Sequence, residues 1–354
     1  MAISRSLAAS LLCAFFLAGA LGSRVDVGDM FMMDRFRVWQ ATHNRTYATA
    51  EERLRRFEIY RRNVEYIDAT NRRGELTYEL GENQFTDLTS QEFRARYTMP
   101  AWQERASRAD LRQLITTRAG PVGEGRNRSY SDDGELEVPN SVDWRTMGAV
   151  TPVKSQSPCG CCWAFAAVAS IEGLHKIKTG QLVSLSEQEL VDCDNYDHGC
   201  NGGFPERAMR WVADNGGLTT ESDYPFVAKK GECNRDKARK HAVKIAGAKM
   251  VYANSEAALE LAVARQPVAV AIDSSSVNFQ FYKGGVYSGP CGTNLDHAVT
   301  LIGYGADDKG RKYWIVRNSW GEWWGEKGYV RMARGVAARE GTCGIAMHSS
   351  YPVM

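Results

Sequence analysis

From residue 24 to about residue 97 the chain carries apolar side chains at intervals of three and four, the period of an amphipathic helix. This pattern predicts two helices. Their apolar faces consist of Met32, Phe36, Trp39 and His43 in the first and Phe57, Tyr60, Val64 and Ile67 in the second. A third, short helix is predicted to start at Thr89, because Thr89 and Glu92 have the spacing of a capping box. We therefore expect a helical segment over residues 30–97.

Helical periodicity ends near residue 98. From there to residue 137 the chain is rich in Arg, Gly, Ser and Asp, which is typical of an exposed linker. A new pattern then predicts one helix from Cys162 to Lys178 and another capped by Ser186. Short β-branched or aromatic runs bounded by glycine predict strands at Val268–Ile272, His297–Ile302, Tyr313–Val316 and Tyr329–Met332. A helical half followed by a strand-rich half indicates an α+β fold of two lobes with a cleft between them.

An apolar run near the N-terminus has the features of a secretory signal peptide. Arg5 precedes the run, which ends at Leu21, and Ala18 and Ala20 provide the small residues of a cleavage site. The run is too short to span a bilayer. A buried N-terminal helix is the alternative, but no polar stripe interrupts the run. We expect residues 1–22 to be a signal peptide that directs the chain into the secretory pathway.

Charge and composition exclude several classes of partner. The chain has 44 basic and 42 acidic side chains, and its 44% hydrophobic residues are ordinary for a globular protein. No basic stripe runs along the sequence, so we expect no nucleic-acid partner. No second apolar stretch is long enough to serve as a membrane anchor. A soluble monomer is expected.

The nine cysteines are unevenly distributed. Cys13 lies in the expected signal peptide, and the other eight lie between Cys159 and Cys343. Disulfides can therefore stabilise only the C-terminal part of the chain. The N-terminal part must form a separate unit without them.

The densest group of chemically useful residues is Gln156-Ser-Pro-Cys159-Gly-Cys161-Cys162-Trp163. Cys162 lies where a glycine-containing loop gives way to the predicted helix, and a helix N-terminus stabilises a thiolate. The same spacing is compatible with two purely structural roles. All three cysteines could form disulfides, or Cys159 and Cys162 could bind zinc as a C-x-x-C pair. No second C-x-x-C pair completes a zinc site, so we expect no metal.

A nucleophilic cysteine needs a base, and His297 is the best candidate. It opens a predicted strand, which would hold its imidazole rigidly. Asn318 ends another strand and could accept a hydrogen bond that selects the imidazole tautomer, and Trp320 could cover that bond. A core histidine and a turn asparagine are the alternative, and each is the commoner role. Only their combination with the cysteine group favours catalysis.

Taken together, these residues resemble the papain family of cysteine proteases. The matching segments, in order, are the cysteine group, Cys200-Asn-Gly-Gly203, Asp296-His297-Ala-Val and Asn318-Ser-Trp320-Gly. The N-terminal part resembles the inhibitory prosegment of that family. Its first motif is matched by Glu52, Arg56, Tyr60, Asn63, Ile67 and Asn71, with Tyr60 where phenylalanine is usual, and its second by Gly81, Asn83, Phe85 and Asp87. So many ordered matches are not a chance motif hit.

The resemblance implies a papain-like fold, with a helical left lobe, a β-barrel-like right lobe and an active-site cleft between them, preceded by a helical inhibitory prosegment. The propeptide would span residues 23–137 and the peptidase domain 138–354, with the two lobes meeting near residue 248. The protein would be a cysteine endopeptidase made as an inactive zymogen, without a cofactor. Its expected partners are protein and peptide substrates, its own propeptide and cystatin-type inhibitors. The expected location is the vacuole, the lysosome or the extracellular space.

The family pattern also implies residue roles. Cys162 would attack as a thiolate paired with the imidazolium of His297, Asn318 would orient His297, and Gln156 would donate to the oxyanion. The implied disulfides are Cys159–Cys200, Cys193–Cys233 and Cys291–Cys343. Substrate would contact Gly202, Gly203, Asp296 and Trp320. The second substrate residue upstream of the cut would enter a pocket formed by Phe204, Pro205, Ala271, Leu295, Ala298 and His348. Because five of these six are apolar, a hydrophobic side chain is expected there.

Two positions depart from the family pattern. His348, at the pocket base, replaces a residue that is usually small or apolar. Either it is partly solvated and changes little, or its protonation at acid pH lets the pocket accept an acidic side chain. Cys161 is the thiol left over after three disulfides. It is either a small side chain beside the active site or the partner of a regulatory disulfide with Cys162.

Sequons at Asn44 and Asn127 predict glycosylation of the N-terminal part. Two other functional classes remain open at this point. One is a non-catalytic storage or binding protein of the same fold, which the intact set of Gln156, Cys162 and His297 disfavours. The other is a disulfide-stapled interaction module, which would not need a built-in inhibitor.

Overall fold

The structure is a computed structural model of the whole chain, and it describes residues 27–99 and 138–354. The expected signal peptide, the sequon at Asn127 and most of the predicted linker lie outside these residues. The chain divides into two compact units, one ending at Arg61 and the other beginning at Arg62. In the described part, no helix combines the length and the apolar character needed to cross a membrane.

The helices predicted before residue 98 are confirmed. In the first unit, the ring centroid of Tyr60 lies 5.0 Å from that of Phe36 and 5.3 Å from that of Trp39, so the predicted apolar faces meet in an aromatic cluster. The capping box of Thr89 and Glu92 is also present. The three helices are α1 (Val27–Thr42), α2 (Ala50–Arg72) and α3 (Ser90–Tyr97).

The helical segment predicted over residues 30–97 also contains a strand that was not predicted, β1 (Tyr78–Leu80). This strand pairs antiparallel with β5 (Tyr282–Tyr287). Gly285 of β5 has φ +95°, and a Cβ there would lie 2.6 Å from the carbonyl oxygen of Thr77. Only glycine allows so close an approach of the two backbones. The strand is therefore specified by its partner rather than by its own three residues.

The helices after residue 138 include both predicted ones. In α4 (Cys162–Thr179), every residue from Cys162 to Leu174 is buried. The hydroxyl of Ser186 accepts a hydrogen bond from the N–H of Glu189 and so caps α5 (Glu187–Cys193) as predicted. The helices are α4 (Cys162–Thr179), α5 (Glu187–Cys193), α6 (Pro205–Asp214), α7 (Arg235–Ala238), α8 (Glu256–Val263) and α9 (Val277–Gln280).

The four predicted strands are present, and four more accompany β1 in one mixed sheet. The strands after β1 are β2 (Val142–Asp143), β3 (Gly247–Met250), β4 (Val268–Ile272), β5, β6 (His297–Ala306), β7 (Lys312–Arg317), β8 (Tyr329–Ala333) and β9 (Ser349–Val353). Their order is β1-β5-β8-β7-β6-β4-β9-β3, with β2 beside β6. The pairing path is open, so the implied barrel-like lobe is an open sheet. The predicted α+β class is confirmed.

Two apolar cores underlie this arrangement. One is built on the sheet around Trp314 and Trp324, and it also contains the prosegment side chains Tyr78, Leu80, Phe85, Leu88 and Phe93. The other surrounds α4 and contains Cys162 and Trp163 together with residues of β4 and β6. Residues from the start of β6 therefore lie against the helix that carries the candidate nucleophile.

A buried ion cluster joins the helices to the sheet. Nζ of Lys154 lies 2.9 Å from Oε1 of Glu187 on α5 and 3.3 Å from Oε1 of Glu172 on α4. Nη1 of Arg317 on β7 lies 3.5 Å from Oε2 of Glu172. The side chains of Glu172 and Glu187 are only 1% and 2% exposed, so Glu187 depends on Lys154, and Glu172 depends on Lys154 and Arg317. The cluster thereby holds α4, α5 and β7 together.

We predict that Lys154→Met lowers the free energy of unfolding by about 3–5 kcal/mol, because it leaves Glu187 buried without its cation. Urea unfolding of the whole chain, followed by tryptophan fluorescence, would measure the loss. The control Lys309→Met removes the same charge from an exposed loop and should change the free energy of unfolding by less than about 0.5 kcal/mol. Equal losses in the two variants would contradict this account.

Candidate active site

Cys162 is the first residue of α4, where loop gives way to helix. Its side chain is completely buried. The backbone N–H of Ala298 on β6 donates to its Sγ over 3.4 Å. The sulfur therefore lies between the N-terminus of a helix and the start of a strand, both of which present N–H groups that would stabilise a thiolate.

His297 is the first residue of β6, so it also lies at the end of a rigid element. Its Nε2 is 2.8 Å from Oδ1 of Asn318. Because an amide oxygen only accepts hydrogen bonds, Nε2 carries the proton and Nδ1 is the basic nitrogen. Nδ1 is buried, and nothing in the described part of the chain forms a hydrogen bond with it. Trp320 stacks on the imidazole with ring centroids 4.5 Å apart and shields it from water.

Burial keeps both reactive groups neutral in this closed site. It raises the pKa of Cys162 to about 12, although the N–H of Ala298 acts in the opposite direction. It lowers the pKa of His297 to about 4, against the effect of the hydrogen bond to Asn318. At neutral pH the site therefore contains a thiol and a neutral imidazole rather than an ion pair.

Gln156 is fully buried, and its side-chain amide is held in place on both sides. Its Oε1 accepts a hydrogen bond from the hydroxyl of Ser319 over 2.7 Å. Its Nε2 donates to the carbonyl oxygen of Cys159 over 2.8 Å and to that of Tyr97 over 3.2 Å. Nε1 of Trp320 donates to the same Tyr97 oxygen over 3.3 Å. A prosegment carbonyl thus occupies two donors of the site.

The chain continues through the site beyond Tyr97. Met99 is buried, and its N–H donates to the carbonyl oxygen of Asp296 over 2.8 Å. Its side chain packs against Gly202, where a Cβ would lie 3.6 Å from the Met99 sulfur. The prediction of an exposed linker from residue 98 is therefore wrong for Met99, because the backbone acceptor of Asp296 and the glycine surface provide a buried position for it.

Asn83 and Phe85 of the second prosegment motif, together with Phe93, hold this segment beside the site. The rings of Phe85 and Phe93 meet Trp320 edge-on, with centroids 5.7 Å and 5.0 Å from it. Nδ2 of Asn83 donates to the carbonyl oxygen of Gln280 over 2.8 Å. These contacts cover the same tryptophan that stacks on His297.

The residues implied for the specificity pocket come together. The core around α4 includes Ala271, Leu295 and Ala298, and Phe204 packs against it. The carbonyl oxygen of His348 accepts a hydrogen bond from the N–H of Ala271 over 2.9 Å. The centroid of the His348 imidazole lies 6.1 Å from that of the Phe204 ring. Pro205 is the first residue of α6 and is buried next to Phe204. Gly203 lies against Trp163, since a Cβ there would be 2.6 Å from the indole ring.

Sequence reasoning missed Glu206, which follows Pro205 on α6. Its Oε2 lies 3.0 Å from Nε2 of His348, and the two side chains are 1% and 14% exposed. His348 is therefore partly exposed, and its Nε2 faces a buried carboxylate. In the sequence, Glu206 is notable only because it directly follows Phe204 and Pro205. Nothing in the sequence connects it to His348, which lies near the C-terminus.

The three disulfides have the pairing that the resemblance implied, Cys159–Cys200, Cys193–Cys233 and Cys291–Cys343. Among the described cysteines, only Cys161 and Cys162 are unpaired, and they do not form a disulfide with each other. Cys161 is completely buried, and burial raises the pKa of its thiol well above the usual value. It is a small interior side chain here. Of the two sequons, only Asn44 is described, and it is exposed at the end of α1.

Comparisons with known proteins agree with this geometry. Residues 138–353 match the papain family cysteine protease model, and residues 36–93 match the cathepsin propeptide inhibitor domain. The chain is 48% identical over 343 residues to fruit bromelain of Ananas comosus, covering 97% of this chain and 92% of that one. It is 52% identical over 304 residues to the cysteine endopeptidase RepA of Oryza sativa subsp. japonica, covering 85% and 78%.

Among solved structures, a recombinant stem bromelain precursor superposes with a TM-score of 0.78 at 44% identity, covering 91% of this chain and 99% of that one. That structure and the inhibitor-domain match extend the similarity through the prosegment as well as the peptidase. The chain therefore belongs to the papain family of cysteine proteases and is a cysteine endopeptidase made as a zymogen with its own propeptide inhibitor domain.

Proposed function

We propose that Cys162 and His297 cleave peptide bonds through a covalent thioester. Once substrate replaces the prosegment, the proton of Cys162 passes to Nδ1 of His297, which leaves a thiolate beside an imidazolium. The sulfur attacks the scissile carbonyl, and His297 gives the proton to the leaving amine. His297 then takes a proton from water, which attacks the thioester, releases the carboxylic acid and regenerates the thiol.

The observation that carries this proposal is the hydrogen bond between His297 and Asn318. It selects the tautomer in which Nδ1 is unprotonated. A structural histidine in a core normally has both nitrogens satisfied. Here Nδ1 is buried, and no described residue forms a hydrogen bond with it. An available basic nitrogen beside the start of α4 suits a proton acceptor for Cys162.

Gln156 would stabilise the oxyanion that forms during attack. Its Nε2 already donates to a carbonyl oxygen, that of Tyr97, and is held by Ser319 in the orientation this requires. We propose that the substrate oxygen takes the place of the Tyr97 oxygen and receives a second hydrogen bond from the N–H of Cys162.

The prosegment would inhibit in two ways. It occupies the Gln156 donor with its own carbonyl, and it buries the reactive pair so that the charged forms are disfavoured. We propose that the signal peptide spans residues 1–22, the propeptide 23–137 and the peptidase domain 138–354, and that removal of the propeptide activates the enzyme.

The pocket around Phe204, Ala271 and Leu295 would bind the second substrate residue upstream of the cut and prefer a hydrophobic side chain, because burying one in an apolar site is favourable. Location in the secretory pathway, with the vacuole, lysosome or exterior as destination, fits a chain with three disulfides. The exposed Asn44 would then be a glycosylation site. Cystatin-type inhibitors remain proposed partners.

In the precursor, Cys162 is expected to react slowly with iodoacetamide near neutral pH, because a thiol whose pKa is raised to about 12 contains little thiolate. The rate should rise as the pH approaches that value. After prosegment removal, the thiolate–imidazolium pair should make the reaction fast and nearly independent of pH between about 5 and 8. Peptide mass spectrometry would follow Cys162 itself, with denatured precursor as the reference. Fast, pH-independent alkylation of the folded precursor would refute this description of the closed site.

Incubation of purified precursor with reductant at about pH 4.5 should shorten the chain near residue 137 and produce peptidase activity. Cys162→Ser should abolish both effects, because the nucleophile is lost. The matched control is the neighbouring Cys161→Ser, which should preserve both. Gel electrophoresis and a fluorogenic peptide would report the outcome. Shortening and activity in the Cys162→Ser variant would show that another residue is the nucleophile.

Gln156→Ala is expected to lower kcat by about 10²–10³ with a much smaller change in KM, because the lost hydrogen bond forms fully only in the transition state. The control Gln181→Ala removes the same side chain from an exposed position and should leave kcat unchanged. Steady-state kinetics on the processed enzyme would distinguish the two. A Gln156→Ala enzyme that raises only KM would assign this residue to substrate binding instead.

A further inference from the structure

A buried acid–base pair lies at the base of the candidate specificity pocket. Oε2 of Glu206 is 3.0 Å from Nε2 of His348, and the carboxylate is only 1% exposed. Glu206 is in the first turn of α6, and its carboxylate is also stabilised by its own backbone N–H.

The local charges favour the ionised form of both partners. Burial alone would lower the pKa of His348, but Glu206 outweighs this effect and raises it above the usual value. Burial would raise the pKa of Glu206, but His348, the nearby backbone N–H and Arg210 outweigh this effect and lower it. Burial, and to a smaller extent nearby acidic groups that include Glu206, raise the pKa of Asp197, whose Oδ1 lies 3.6 Å from Nε of Arg207.

The pH range of the pair follows from these directions. The stabilisation from His348 is lost as the pH rises through its raised pKa, and that from Glu206 is lost as the pH falls through its lowered pKa. Between these two values the pair is an imidazolium and a carboxylate with no net charge. The mildly acidic range in which this zymogen is proposed to be processed lies inside that window.

We infer that Glu206 is a specificity-determining residue: it neutralises His348 and thereby keeps the pocket closed to acidic substrate side chains. This inference rests on the proposed function, since it assumes that the second upstream substrate residue enters this pocket. An incoming carboxylate would find its cationic partner already paired and would be repelled by Glu206. A leucine side chain would instead contact Phe204 and Leu295 and would not need the charge.

The pair argues against one of the two alternatives that the sequence left open for His348. A lone protonated His348 would accept an acidic side chain at low pH. With Glu206 as its buried partner, His348 should contribute no net attraction, and selectivity should remain hydrophobic across the acid range. Glu206→Gln removes the carboxylate but keeps the shape of the side chain, so it should leave the imidazolium of His348 without its counter-ion.

The test compares two fluorogenic peptides that differ only in having Glu or Leu at the second position upstream of the cut. For the wild-type enzyme processed from the full precursor, the ratio of kcat/KM (Glu to Leu) should stay low and change by less than about twofold between about pH 5 and pH 7.5. For Glu206→Gln the ratio should rise about tenfold at pH 5 and return toward the wild-type value at pH 7.5, because an unpaired buried histidine loses its proton.

Two further variants make the result specific. Glu206→Gln combined with His348→Ala should lose the gain, because no cation remains in the pocket. Asp308→Asn, which removes the same charge from an exposed loop, should leave the ratio at the wild-type value. A wild-type ratio that climbs steeply at pH 5 would overturn the inference even if Glu206→Gln does not fold. So would an unchanged ratio in a folded Glu206→Gln enzyme.

Failure of the proposed function would look different. An enzyme that cleaves neither peptide, or cleaves both equally in every variant, would show that this pocket does not receive the second upstream residue. If the enzyme prefers Leu and the Cys162→Ser variant loses that activity, the proposed function is supported, whatever ratio the Glu206→Gln variant gives.

Discussion

The packing of α4 against β6 is the contact on which the site depends. Cys162 begins the helix and His297 begins the strand, so the geometry between sulfur and imidazole is set by how two rigid elements pack. Two hydrogen bonds link them, from the N–H of Ala298 to Sγ and from the hydroxyl of Thr300 to the carbonyl oxygen of Ala166. The ion cluster of Lys154 links the same helix to β7, and Asn318 is the first residue after β7. Both partners of His297 are thereby positioned by the scaffold.

The proposed nucleophile, base, orienting amide and oxyanion donor already lie in one site in the precursor. Burial disfavours the charged forms of Cys162 and His297, which our proposed mechanism requires. Activation on this view requires a change of environment rather than a rearrangement of the catalytic residues.

Much of this could be read from the sequence where the signal is local. The capping box at Thr89, the cap at Ser186 and the strand at Val268–Ile272 depend on neighbouring residues and were predicted correctly. Features that depend on a distant partner were not. The strand Tyr78–Leu80 forms because it pairs with β5. Met99 is buried where its N–H can donate to the carbonyl oxygen of Asp296. The role of Glu206 depends on its contact with His348, which is distant in the sequence. The disulfide pairing came from the family resemblance, since spacing alone allows many pairings.

The strand β1 and the side chains around Phe85 and Phe93 belong to the same sheet and core as the peptidase. If the propeptide is removed as proposed, the enzyme that remains is smaller than the unit that folds. Its removal would take one strand and part of the apolar core away and would leave β5 at an edge of the sheet. The processed enzyme would then have to stay folded without contacts that were present when the chain folded.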